Sequence, residues 1–404
     1  MSEPTFIKSS SEDIRRLYRT LFEGNWPSWL AGIFIALLAL LIFLWNVPWG
    51  IAGGYRNWGD WMLYGAGLSN VCPDTVPWLH SLSVTNFGLF AGALASALLS
   101  RQFRFRSAPP LEYGKGAVGG ILMGAGAVLA SGCNVGGFYT AVGIFSIGGY
   151  AMMVGLGIGA YIGLRYLLWE MAHLPGKTAA GAPAGGKSRT GIDRTGIDWS
   201  RLKRYLGGLI LLAGILAFYL YAAYGKTQIG GLLFFGLLIG LVMHRSRFCF
   251  VRAFREPFMT GDAGMVRAVA ISLILYGLGS AVIKWNWIQP PEMGIYHPFW
   301  IGSLAGGLIF GIGMLLAGGC ASSTLWRAGE GHGKLMVTLV CFALSNSLLS
   351  QWVTQSGMKA LLGSGFFLPG LISWQAALPA FLLVICTWVL WAAWNEKSEK
   401  FVIF

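Results

Sequence analysis

Residues 119–133 read GGILMGAGAVLASGC, and residues 306–320 read GGLIFGIGMLLAGGC. Laid on each other at an offset of 187, they agree at eight of fifteen positions, sharing the pattern GGxxxGxGxxLAxGC. Apolar helices coincide by chance at some glycines and leucines, but a shared terminal Gly-Cys is a stronger sign. The chain therefore carries a duplicated unit. Each run is about 16–18 residues, or about 24–27 Å of helix, slightly short of a bilayer core. Each is followed by a break, GCNVGG at 132–137 and GGCASS at 318–323. Broken backbone at membrane depth is tolerated only where protein or a watery cavity surrounds it.

The rest of the composition agrees with a membrane setting. Of 404 residues, 55% are hydrophobic and 11% charged, whereas soluble domains carry about 25% charged residues. The 18 Trp and 59 Gly suit membrane interfaces and close helix contacts respectively. A net charge of +13 could suggest nucleic acid, but the basic residues cluster in short connections between apolar runs, the positive-inside pattern. Residues 1–28 are polar and lack a small-residue cleavage site, so the first apolar stretch reads as a retained span.

Runs long enough to cross fall at 29–47, 83–100, 116–131, 148–168, 206–224, 228–243, 263–283, 300–317, 335–352 and 373–394. The chain is thus expected to be an all-α polytopic membrane protein of about ten transmembrane segments. Lys8, Arg15, Arg16 and Arg19 place the N-terminus inside, segment 48–82 with its single Arg56 reads as an outer connection, and Arg101, Arg104, Arg106 and Lys115 return the chain to the cytoplasm. The expected organisation is a cytoplasmic N-terminal segment 1–28, a first membrane half 29–171, a flexible basic cytoplasmic linker 172–205, a second half 206–394 and a cytoplasmic tail 395–404. The linker is rich in Gly, Ala and Lys and contains RTGID twice in tandem. By the same charges the run ending at Cys133 travels outward and the run ending at Cys320 inward. The two repeats, with their broken or re-entrant glycine-rich helices, are then inverted, as in transporters whose substrate site lies at the repeat interface.

Three of the six cysteines draw attention. Cys133 and Cys320 end the repeated phrase, followed by Asn134 in one copy and by Ser322, Ser323 and Thr324 in the other. Cys249 lies in HRSRFCFVRAFRE (244–256), among Arg245, Arg247, Arg252 and Arg255. If that stretch is helical, Arg245, Cys249 and Arg252 share one face. Guanidiniums favour thiolates and bind oxyanions, yet a basic loop is also what topology asks of any cytoplasmic connection. Cys341 and Cys386 read as packing residues, Cys72 as a loop thiol, and Tyr139, Trp326, the Trp285–Trp287 pair, His80 and His297 as interface markers.

Some features are missing. The predicted span interiors hold no Asp or Glu, which argues against a proton or sodium pump. No CxxC spacing suggests zinc or a redox dithiol, and no GxxxxGK[ST] loop suggests direct ATP coupling. No cofactor is called for. A path lined by thiols, Asn134, Ser322 and helix ends suits an anion or a neutral polar molecule.

LASGCN (129–134), GLLIGLVMHRSRFCFVRAFRE (236–256) and GGLIFGIGMLLAGGC (306–320) together resemble the YeeE/YedE family of sulfur-transport membrane proteins, closer to its YedE-like branch. The resemblance covers about 80–400. It implies thiosulfate transport along a central constricted pathway lined by single cysteines, here Cys133, Cys249 and Cys320; the expected setting is the inner (plasma) membrane, with both termini cytoplasmic by the charge pattern. It also implies a TusA-type sulfur-carrier protein as partner, and for the YedE-like branch a link to selenium metabolism, so a selenium species is an alternative cargo. Here the pathway set is Cys133, Cys249, Cys320, Asn134, Ser322, Arg245, Arg247 and Arg252. The first-half stretch matching the RxxFC element, LSRQFRFRSA (99–108), has no cysteine. A membrane thiol oxidoreductase is the rival reading and requires two cysteines that meet.

Overall fold

The computed structural model describes residues 18–69, 71–173 and 199–403. These form helices α1 (Ser28–Trp45), α2 (Ala52–Gly65), α3 (Ser81–Leu99), α4 (Pro110–Leu129), α5 (Ile147–His173), α6 (Trp199–Ala223), α7 (Thr227–Ser246), α8 (Phe250–Met259), α9 (Gly264–Trp285), α10 (Ile301–Ala317), α11 (Ala321–Gly329), α12 (Gly333–Gln355) and α13 (Leu368–Ser398). A helical segment, Asn134–Gly143, lies between α4 and α5 and bends from α4 by 45°. Nine helices, or ten with that bent pair, are long and apolar enough to cross a membrane among the described residues. Each corresponds to one of the ten apolar runs, so the protein is a polytopic all-α membrane protein.

Packing follows a rule of exchange. Helix α1 packs on α9 and α3 on α7; α4 packs on α12 and α10 on α5; α2 packs on α12 and α8 on α5. Shifting the first-half members to their second-half counterparts turns each pair into the other. The long helices of each repeat thus find their main neighbours in the other repeat, whereas the short α8 packs on α9 of its own repeat as well as on α5; α6 and α13 lie outside this exchange.

The shared glycines make the central contact. A methyl on Gly119 would lie 2.6 Å from the Gly313 carbonyl oxygen, and one on Gly126 would lie 2.5 Å from that of Gly306. The offset of 187 carries Gly119 to Gly306 and Gly126 to Gly313, so the two contacts are copies of each other. The order of contacts, 119 with 313 and 126 with 306, also shows that α4 and α10 run antiparallel, as an inverted duplication requires. The other shared pair faces sideways: Gly120 and Gly124 meet α12, and Gly307 and Gly311 meet α5. Without apolar contrast between protein and lipid, backbone approach of this kind is what holds helices together.

Helix ends match as well. Ser131 (φ +53°) closes α4 and Gly318 (φ +75°) closes α10, both in the left-handed region. Glycine adopts that region freely and serine does not. Ser131→Gly is therefore expected to raise the melting temperature in detergent by a few degrees, and Gly318→Ala to lower it by a similar amount, from about 1 kcal/mol each. Differential scanning fluorimetry of the purified variants checks both.

Several sequence expectations change. Segment 48–82 is not a plain outer loop, because it holds α2, which packs against α3 and α12. Helix α6 begins at Trp199, before the expected start of the second half at 206, and α13 continues to Ser398, inside the expected tail. Most of the expected linker, with Lys177, Lys187, Arg189 and Arg194, lies outside the described residues, as do Lys8, Arg15 and Arg16. His297, Tyr139 and Trp326 are buried rather than interfacial. His80 caps α3 by accepting from the Ser83 N–H at 3.2 Å. Cys386 is exposed on α13 rather than packed in the core.

Candidate functional site

All three cysteines of interest stand immediately before a helix, in extended backbone. Cys133 (φ −83°, ψ −175°) precedes Asn134–Gly143, and Cys320 (φ −88°, ψ −178°) precedes α11. Cys249 (φ −153°, ψ 120°) precedes α8. Helix α7 stops at Ser246, and Arg247 takes a left-handed conformation (φ +57°). The expected helical face of Arg245, Cys249 and Arg252 therefore does not form; the break that removes it delivers the Cys249 thiol to a helix N-terminus instead. Helix N-termini present unpaired N–H groups and partial positive charge.

Hydroxyls gather around Cys320. Around Cys320 the Ser323 hydroxyl accepts from the Cys320 N–H at 2.7 Å and lies 3.3 Å from the sulfur. The Ser322 hydroxyl is also 3.3 Å from Sγ, and the Thr324 hydroxyl donates to the Cys320 carbonyl at 2.7 Å. The Cys249 side chain neighbours Cys320 and Ser323. Gly136, Val135 and Ala52 neighbour the Cys133 side chain, so the start of α2 also reaches this point. Tyr55 of α2 neighbours both Cys133 and Cys320. Its hydroxyl donates to the Ala321 carbonyl oxygen at 3.1 Å, and its ring stacks on Phe342 at 4.6 Å.

By the exchange of packing, α2 is the counterpart of α8. The residue that takes the place of Cys249 in the first half is therefore Ile51, which precedes α2. The expected counterpart at 99–108 is not in that position. Four short helical N-termini converge, three of them carrying a thiol.

Next to Cys133, the buried Asn134 side chain has no protein partner at either polar atom. His297 is likewise buried, and its Nε2 is unpartnered. A methyl on Gly132 would lie 3.1 Å from its ring. Unpaired buried polar groups are costly, so a pair of them flanking a thiol marks a place where a polar guest improves the balance.

On the other side, Cys249 lines a basin of about 360 Å³ together with Arg106, Arg247, Arg252, Arg255, Arg327 and Trp326. Arg247 donates to both Glu330 carboxylate oxygens at 2.7 and 2.9 Å and to Gln102 at 2.8 Å. Its guanidinium carbon lies 5.4 Å from the centroid of the Trp326 ring. Arg106 Nη1 lies 3.3 Å from Glu330 and 2.8 Å from His332 Nε2. Arg252 pairs with Glu256 at 2.5 Å. Arg245 lies elsewhere: it donates to the Gly24 carbonyl, and its own carbonyl accepts from Trp26 N–H at 3.0 Å, which pins the N-terminal approach to α1. It is not among the residues that line the basin.

Burial works to raise the Glu330 carboxyl, but the Arg247 guanidinium, with Arg106 behind it, overrides this and holds it at about 2. Burial, aided by Arg327 and Arg106, pushes His332 down to about 4, and burial pushes His297 to about 4 as well. At neutral pH the basin therefore holds a charged Glu330 and a neutral His332. Both histidines take a proton more readily unfolded, near the usual value of about 6.5, so stability falls as pH drops from 6.5 towards 4. The melting temperature is expected to fall by several degrees between pH 7 and pH 4.5, and His332→Gln should flatten that slope.

Of the candidates read from the sequence, the three thiols, Asn134, Ser322, Arg247 and Arg252 lie at the converging helix ends and the basin beside them, and Arg245 does not. The sequence reading missed Tyr55, Arg106, Arg327, Glu330 and His332, which come from elements far apart in the chain. The profile described as "Sulphur transport" matches residues 2–162 and 245–402. The chain is 28% identical over 298 residues to "Probable transporter YedE" of Escherichia coli, covering 70% of each protein. It is 38% identical over 114 residues to "Thiosulfate transporter TsuA" of Escherichia coli, covering 28% of this chain and 32% of that one. With "Thiosulfate transporter TsuA" of Spirochaeta thermophila it shares 30% identity over 185 residues, covering 41% and 54%. With both membrane halves matched and the repeat's cysteines brought to converging helix ends, this chain belongs to the sulphur transport family.

Proposed function

We propose that this protein passes a small sulfur oxyanion such as thiosulfate across the membrane, along Cys133, then Cys320 and Cys249, and out through the arginine basin. The observation that carries this reading is the meeting of three free thiols, each at a helix N-terminus, with the unpartnered Asn134 amide on one side and five guanidiniums on the other. Converging N–H groups and dipoles favour an anion. Thiols add weak donors that hold a sulfur-rich guest without a lasting bond, and release is as necessary as capture. Arg247 and Arg252 receive the anion at the basin. The positive-inside rule puts that basin, and both chain termini, at the cytoplasmic face of the plasma membrane. A TusA-type carrier docked over the basin would take the sulfur onward.

Competition tests the cargo. In cells lacking their own uptake systems, expression of the protein should give uptake of labelled thiosulfate that excess unlabelled thiosulfate suppresses and equimolar sulfate does not. Suppression by selenite or another selenium oxyanion at lower concentration than thiosulfate would reassign the cargo. Uptake no greater than in cells carrying an empty vector would overturn the reading.

A further inference from the structure

We propose that Cys249 and Cys320 are a redox pair: they form a reversible disulfide that closes the passage, and disulfide-class oxidants that enter through the arginine basin, polythionates among them, drive its formation. The closure, though not the pairing, rests on the transport reading above.

The two thiols are free and neighbour each other across two helix starts, and the Ser323 hydroxyl beside them lies 3.3 Å from Cys320 Sγ. They stand on different helices, before α8 and α11, each in extended backbone at a helix start. A sulfur shift there towards the bond length of about 2 Å breaks no helix interior. Access is ordered: Cys249 lines the basin, while Cys320 lies fully buried behind it. Cys133 stands instead before the separate Asn134–Gly143 segment. The basin brings five arginines against Glu330 and Glu256, so it concentrates dianions.

Tetrathionate shows how the electrons balance. The Cys249 thiol attacks an inner sulfur of tetrathionate, giving a Cys249–S–S–SO3⁻ adduct, one thiosulfate and one proton. The Cys320 thiol then attacks Cys249 Sγ, expelling a second thiosulfate and a second proton and leaving the Cys249–Cys320 disulfide. The dithiol loses two electrons, and one tetrathionate becomes two thiosulfates. A dithiol reductant such as dithiothreitol reverses the bond. The product ties the starts of α8 and α11 together and removes two S–H donors from the path.

The test uses the full-length protein, purified and in proteoliposomes. After tetrathionate and alkylation of remaining thiols, peptide mass mapping should find a Cys249–Cys320 link. Cys133→Ser should keep the link, and Cys320→Ser should instead hold a thiosulfate adduct on Cys249. In the proteoliposomes, thiosulfate uptake should fall about tenfold on oxidation and recover with dithiothreitol. A wild-type protein that stops at the adduct or stays unlinked overturns the pairing. A linked protein with unchanged uptake overturns the closure while the pairing stands. Absence of uptake before oxidation defeats the transport reading and the closure with it, and the mass map still decides the pairing.

Discussion

Cells expressing Gly306→Val are expected to contain almost no folded protein. The Gly306 α-carbon lies against α4, where a Cβ would come within 2.6 Å of the Gly126 carbonyl oxygen and 2.7 Å of the Ala130 nitrogen. These are backbone atoms of the last turn and C-cap of a packed helix, and neither has a rotamer by which to move away. Separating α4 from α10 enough to admit a valine also opens the copied contact at Gly119 and Gly313, because the two are rigid helices in one crossing. Overpacking of a core costs about 1–3 kcal/mol when side chains can yield, so a backbone clash at two coupled points costs at least about 3 kcal/mol. That is a large part of the roughly 5–15 kcal/mol that holds a protein together. Gly126→Val, its mate across the crossing, should fail in the same way. Gly157→Val on α5, where a Cβ meets nothing within 4 Å, should be expressed like the wild type. Monodisperse yield after fluorescence-detected size exclusion separates the three. Normal yield of Gly306→Val would show that the repeated glycines do not form the contact at the centre of the fold.

Glu330→Gln is expected to weaken the protein and to tighten its hold on anions at the same time. Glu330 is fully buried and takes both hydrogen bonds of the Arg247 fork, with Arg106 close by. An amide in its place leaves two guanidiniums short of a counter-charge. Removing one partner of a fully buried pair costs about 3–5 kcal/mol. Arg247 keeps 32% of its side chain exposed, so water screens part of the loss and about 2 kcal/mol is the expected cost. The basin gains one net positive charge beside the thiols, and an oxyanion bound in it can supply the counter-charge that the carboxylate gave. Thiosulfate or sulfate at millimolar concentration should therefore restore much of the lost melting temperature in Glu330→Gln while moving the wild type little. Anion-independent destabilisation would mean that the basin does not bind anions. No destabilisation at all would mean that the Arg247 pair contributes nothing to holding its wall.

Much of this was legible in the residues. Apolar length gave the spans because lipid demands closed, apolar helices. The repeat GGxxxGxGxxLAxGC gave the duplication, and its glycines turn out to be packing surfaces while its cysteines turn out to be helix caps. Hydropathy could not see α2: with AGGYRNWGDWMLYG it is too polar and short for a span, and only its contacts with α3 and α12 make it a helix of the interior. Helical spacing failed at Cys249 because Arg247 turns the chain one residue after α7 ends. The meeting of Cys249 with Cys320 was beyond sequence, since 71 residues separate them and neither sits in a paired motif. Tyr55, Arg106 and Glu330 were missed for the same reason, because each gains its role from a partner in a distant element.

We expect the cysteines at the converging helix ends to lie on the substrate path. The most direct measurement is the initial rate of labelled thiosulfate entry into proteoliposomes holding equal amounts of wild type, Cys133→Ala, Cys249→Ala or Cys320→Ala, each shown to be folded by its melting temperature. Loss of one or two thiol contacts of about 0.5–1.5 kcal/mol each predicts a fall of about tenfold in each variant. Wild-type rates in all three folded variants would contradict the account and leave the cysteines as packing residues at helix starts.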